Sequence, residues 1–152
     1  MKEMLLTSVR DVLIRDLNKL EQELLQYPAE ALIWKVDQGI TNPAGNLTLH
    51  LCGNLQYYIG AVLGNTGYVR NRDNEFAAKD KKLADLLAEI ERTRLAVSGT
   101  LPLISESQLQ SDYPVDVFGK PMKTMYFLIH LTAHFSYHLG QINYHRRLVA
   151  NG

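Results

Sequence analysis

Apolar residues recur at intervals of three and four along most of this chain, and the breaks in that rhythm separate four long helical segments. From Met4 to Leu25, the residues Leu5, Val9, Val12, Leu13, Leu17, Leu20 and Leu24 fall on one helical face, which ends before Tyr27-Pro28. The stretch through Trp34, Gly39 and Asn42-Pro43-Ala44-Gly45 is rich in turn formers and reads as a long connection that Trp34 anchors to the core. Leu47 to Leu63 is apolar nearly all round, interrupted by His50, Asn54 and Gln56 and stopped by Gly64 and Gly67, so this second helix is expected at the centre of the fold. Lys79 to Val97 carries Leu83, Leu86, Leu87, Ile90 and Arg94 on one face and stops at Ser98-Gly99. Thr100 to Lys123 holds three prolines, and its alternating piece Tyr113 to Val117 predicts a short two-stranded ribbon. Thr124 to Val149 is the last helix, with Thr124 as its expected N-cap and Arg146 and Arg147 placed to complement the helix dipole.

The pattern therefore predicts an all-α protein, and 152 residues suit one domain spanning 1–152. Sixteen basic residues balance sixteen acidic ones, which argues against a nucleic-acid partner, and no apolar run approaches a bilayer span. Lys2, Glu3, Arg10 and Asp11 are wrong for a secretory signal, so a soluble cytoplasmic protein is expected. A single cysteine excludes an internal disulfide and any cysteine-rich metal framework, leaving nitrogen and oxygen as ligands for any ion. No glycine-rich phosphate loop precedes a helix and no Gly-x-Ser-x-Gly elbow occurs.

The chemistry concentrates in histidines. His134 and His138 stand four residues apart on the last helix. That spacing rotates a side chain by about 40° and lifts it about 6 Å, so both imidazoles can reach one point. His130 and His138 differ by about 80° and are poorer partners for a shared ion. His50 stands among leucines on the second helix. Three neutral imidazoles from two helices would hold a divalent ion and leave positions open for water or substrate, in the style of a catalytic site. Gln141, one turn beyond His138, and Asn46 and Asn54, one turn either side of His50, are candidates to orient the ligands. Against this stands the ordinary reading: a histidine on an apolar face, or a His-x3-His pair alone, is more often a packing residue than a ligand.

Other residues carry weaker signals. Cys52 lies about 200° round the helix from His50 and reads as buried packing. Arg70, Arg72, Asp73 and Glu75 read chiefly as a solvated, cap-forming loop, with binding of an acidic substrate at a pocket mouth as the sharper alternative. His145, beside Arg146, is expected in solvent.

The run His134-Phe135-Ser136-Tyr137-His138-Leu139-Gly140-Gln141-Ile142, with the upstream Leu49-His50-Leu51, resembles the DinB-like superfamily, which includes YfiT-type metal-dependent hydrolases and thiol-dependent S-transferases. The resemblance spans the chain in helix order. It implies an up-down-down-up four-helix bundle with a long crossover, in which His50, His134 and His138 bind nickel or zinc. It further implies a small-molecule substrate, with a low-molecular-weight thiol as one candidate. His130, Gln141 and Asn54 become pocket candidates, and His130 a candidate proton carrier. Leu139 stands where many members carry an arginine, so that residue's anion-binding role does not carry over. The alternative to an enzyme is a stress-related binding or homodimerisation module in which the metal is structural.

Overall fold

The computed structural model describes residues 1–37 and 39–151. Four long helices carry it, joined by shorter ones. They are α1 (Lys2–Leu25), α2 (Ala44–Leu55), α4 (Leu83–Thr100) and α6 (Thr124–Ala150), with α3 (Arg72–Ala77) and α5 (Glu106–Gln110) in the connections. No strand forms among the described residues, so the all-α expectation holds. No helix is long and apolar enough to cross a membrane.

Each long helix packs on two others: α1 on α4 and α6, and α2 on the same pair. The two that follow each other first in sequence, α1 and α2, are thus not principal neighbours. The chain between them includes a 3-10 turn, Glu30–Trp34, whose Trp34 is buried and donates its indole N–H to the carbonyl of Lys81 at 3.1 Å.

The face that α1 buries is Leu6, Val9, Leu13, Asp16, Leu17, Leu20 and Leu24. Leu6 replaces the expected Leu5, and Asp16 occupies a core position by pairing with Arg15 at 2.9 Å. Every residue of α2 is buried, as its all-round apolarity predicts. It begins at Ala44, three residues before the expected start. Gly45 is helical because the Trp34 ring fills its flank, and a Cβ there would stand 2.6 Å from ring carbons. After Leu55 the helix widens into a π-helix, Gln56–Ala61, and a last turn, Val62–Gly64. It is closed by Asn65 in the left-handed conformation (φ 51°), a role asparagine accepts more readily than most residues.

Three boundaries differ from the sequence reading. Helix α4 starts at Leu83 rather than Lys79 and runs through Ser98-Gly99 to Thr100. Gly99 is in open space with ordinary dihedrals, so the stop comes from Pro102, which lacks the N–H that another turn would need. The predicted ribbon reduces to one antiparallel bridge, Asp112 with Lys123, flanked by the Tyr113 N–H donating to Met122 O at 2.8 Å. Thr124 is not the N-cap of α6. Lys123 holds that position, and the N–H of buried Thr124 donates to Ser111 O at 2.9 Å.

Candidate metal centre

All five histidines line one cleft of about 900 Å³ between α2, α3 and α6. Three of them converge. One ring nitrogen each from His50, His134 and His138 lies within 4.8 Å of the other two, a group that could hold a metal ion. His50 Nε2 and His134 Nε2 face each other at 3.2 Å. Two imidazole nitrogens on one tetrahedral ion at about 2.0–2.1 Å stand about 3.3 Å apart, so this pair already has the required separation.

The outer nitrogens explain why the inner ones point inward. His138 Nδ1 lies 2.7 Å from Gln141 Oε1, and a carbonyl oxygen only accepts, so Nδ1 carries the proton and Nε2 keeps its lone pair. His50 Nδ1 lies 3.1 Å from Glu75 Oε1, which fixes the same tautomer. Arg70 NH2 also lies 3.3 Å from that nitrogen, but a protonated Nδ1 accepts nothing. The guanidinium therefore belongs to the carboxylate, Nε to Oε2 and NH2 to Oε1, both at 2.9 Å. Burial works to raise the Glu75 pKa, but the hydrogen bonds from His50 and Arg70 outweigh it and keep the carboxyl below its ordinary range.

His134 has no such support. Its Nδ1 is buried without a hydrogen-bond partner, and so is Oδ1 of Asn54, which lines the same cleft. In the tautomer that frees Nε2, these orphans are a donor and an acceptor. Native interiors seldom leave such atoms unmet. Burial pushes the His134 imidazole down to about 4, with His138, His50, His130 and Arg70 adding to the effect. His138 is lowered too, first by burial and against the opposing hydrogen bond to Gln141. Both rings are therefore neutral near pH 7, the form that ligates metal. On geometry, tautomer and charge, the donor set fits a divalent ion.

The family model described as a protein of unknown function (DUF1572) matches residues 2–152. The chain belongs to the DUF1572 family. No curated protein and no solved structure gives a significant match.

In this DUF1572 member the remaining sequence candidates divide. Gln141 supports His138 as expected. Asn46 acts at one remove: its Nδ2 donates to Glu75 O at 3.0 Å and Ala78 O at 2.8 Å, tying α3 to α2. His130 lies one turn before His134, half-buried, stacked 5.9 Å from Phe127 and edge-on to Phe118 at 5.0 Å, with its ring nitrogens unpartnered among the described residues. Cys52 faces away from the cleft towards Thr93, and burial pushes its thiol up to about 12, which leaves it inert.

Two expectations fail. His145 is not solvated: it is 2 % exposed, accepts from Tyr27 Oη on Nδ1 at 2.7 Å, and donates from Nε2 to Lys35 O at 2.8 Å. The loop at Arg70–Glu75 is only half as expected. Asn71 caps α3 by accepting from the Asn74 N–H at 3.1 Å, and Arg72 and Asp73 are exposed, but Arg70 and Glu75 are buried against His50.

Glu75 is thus the functional candidate for which sequence reasoning had no argument. Replacing it by glutamine keeps an acceptor for His50 Nδ1 but removes the charge that makes the ring a better donor to metal. Glu75→Gln is expected to weaken nickel or zinc binding by about tenfold or more, read by calorimetric titration. Unchanged affinity would reduce Glu75 to a partner for Arg70.

Proposed function

We propose that His50, His134 and His138 hold a divalent nickel or zinc ion through their Nε2 atoms. In this reading the protein is a metal-dependent enzyme of the DinB-like superfamily that acts on a small molecule. Transfer of a low-molecular-weight thiol to an electrophile is the favoured reaction, and hydrolysis the other form of the same reading. The observation that carries it is the convergence of three rings from two helices with two outer nitrogens tied off by Glu75 and Gln141. Nothing in packing alone requires that arrangement.

A divalent ion held by three imidazoles supplies Lewis acidity and lowers the pKa of water or a thiol that joins it. The chain does the rest. Glu75 and Arg70 hold His50 in one tautomer, and Gln141 does so for His138. Leu47 and Leu131 line the same cleft and limit water around the rings. His130, one turn along α6 and without a hydrogen bond among the described residues, is placed to take or return a proton from a bound molecule. The ring of contacts α1–α6–α2–α4 supports an up-down-down-up four-helix bundle for this family, with the crossover between α1 and α2.

A second reading has one observation in its favour. Along α6, Tyr126, Ile129, Tyr137 and Tyr144 are exposed, the last two at the rim of the cleft, a stripe suited to a second copy of the chain, in which case the ion would only lock α2 to α6. Elemental analysis after incubation with nickel or zinc, followed by titration of a thiol into cobalt-substituted protein, separates these. Near-stoichiometric metal with a thiol-sensitive cobalt spectrum is expected. A saturated ion that ignores thiol and only raises Tm favours the structural role, and absence of metal overturns both.

A further inference from the structure

The cleft is electrically one-sided. Among its described lining residues are two arginines, Arg70 and Arg72, and no aspartate or glutamate. The arginines differ in kind. The Arg70 side chain is only 9 % exposed, and its fork is committed to Glu75. Arg72 is exposed and makes no ion pair or hydrogen bond among the described residues, while its guanidinium carbon rests 5.4 Å from the ring centre of Phe76. The aromatic face props the charge at the cleft mouth and leaves its donors unspent. Asp73, next in sequence, is exposed, does not line the cleft and makes no ion pair with Arg72.

Two further features belong to the same space. Asn54 is 7 % exposed and lines the cleft, and its Oδ1 is buried with no hydrogen-bond partner among the described residues. A buried amide left open to a cleft is costly unless a bound molecule completes it. One side of the wall, around His130, is apolar: Val117, Phe118, Phe127 and Leu131, with Phe118 49 % exposed although it packs on His130.

We propose that the ligand of this cleft is a small organic acid. Its apolar or aromatic part lies against Phe118 and Phe127, its anionic end pairs with Arg72, and the Asn54 amide hydrogen-bonds a further polar atom. A neutral molecule would leave Arg72 unused, whereas an anion is drawn in by a charge that no carboxylate among the described residues compensates. The proposal deepens the reading of this cleft as a substrate site and does not depend on which ion the histidines hold.

The test compares 3-phenylpropionate with 3-phenylpropanamide, which match in size and differ in charge. Both are titrated calorimetrically into nickel-loaded and metal-stripped protein, in the wild type, Arg72→Gln, Asn54→Ala and Phe118→Ala. The acid is expected to bind about tenfold more tightly than the amide in both metal states. Arg72→Gln should erase most of that preference with nickel content unchanged. Phe118→Ala and Asn54→Ala should weaken both probes together. Arg72 is exposed, so its replacement does not threaten folding. Equal binding of acid and amide, binding of neither, or an acid preference that survives Arg72→Gln overturns the proposal. A preference seen only with nickel overturns it as well, since the carboxylate is then on the metal. If nickel never loads, the metal reading falls separately, and the stripped protein still decides this one.

Discussion

Replacing His134 by alanine is expected to lower the affinity for nickel or zinc by more than about 100-fold, beyond the range that loss of a merely supporting group produces. His134 is one of three rings that meet at similar distances. Its ring centre lies 5.1 Å from that of His50 and 4.6 Å from that of His138, and those two lie 5.2 Å apart, so each ring is one corner of a triangle and removing one leaves only two donors. Elemental analysis and calorimetric titration read the outcome. His130→Ala is the control, because it removes another half-buried ring from the same helix at a point outside the trio. The control is expected to keep its metal. If both variants retain near-stoichiometric metal, the ion sits elsewhere and the three histidines are packing residues.

The parts of this site that lie along one helix were legible before any coordinates. His134, His138 and Gln141 are fixed relative to each other by helical geometry, and the amide meets the ring as the spacing requires. His50 came in through resemblance, since no spacing rule joins residues 84 apart. What was not legible depends on contacts between elements. Arg70 and Glu75 look like surface charges in a polar loop, and only the docking of α3 on α2 turns them into a buried pair behind His50. His145 looks like a terminal basic residue until Tyr27, 118 positions earlier, supplies its partner. The helix ends show the same limit. Pro102 and not Gly99 stops α4, and Thr124 is drawn inward to bond Ser111 instead of capping α6. In each case a local signal lost to a tertiary partner that local pattern cannot reveal.

Gly53→Ala tests that tertiary layer most sharply, because two physical accounts predict opposite signs. Within a helix, alanine is favoured over glycine by about 1 kcal/mol, so at an ordinary buried position with room the change would stabilise. Here the added Cβ would stand 1.9 Å from Oε2 and 2.7 Å from Cδ of Glu75. The carboxylate cannot stay. Moving it strips Arg70 of its counter-ion and His50 of its acceptor, both in a setting where the Arg70 and Glu75 side chains are only 9 % and 7 % exposed. Breaking a buried pair costs about 3–5 kcal/mol, and the helical gain returns about 1, which leaves a net destabilisation of about 2–4 kcal/mol. Denaturant unfolding measures this directly. Metal affinity should fall with it, because His50 loses the bond that holds its tautomer. The double variant Gly53→Ala with Glu75→Ala separates clash from backbone. With the carboxylate gone, the alanine at 53 has space, so adding it to Glu75→Ala should be neutral or stabilising, a coupling of several kcal/mol between the two positions. Additive losses would mean that Glu75 does not occupy the space beside Gly53, and the account of how His50 is aimed would fail with it.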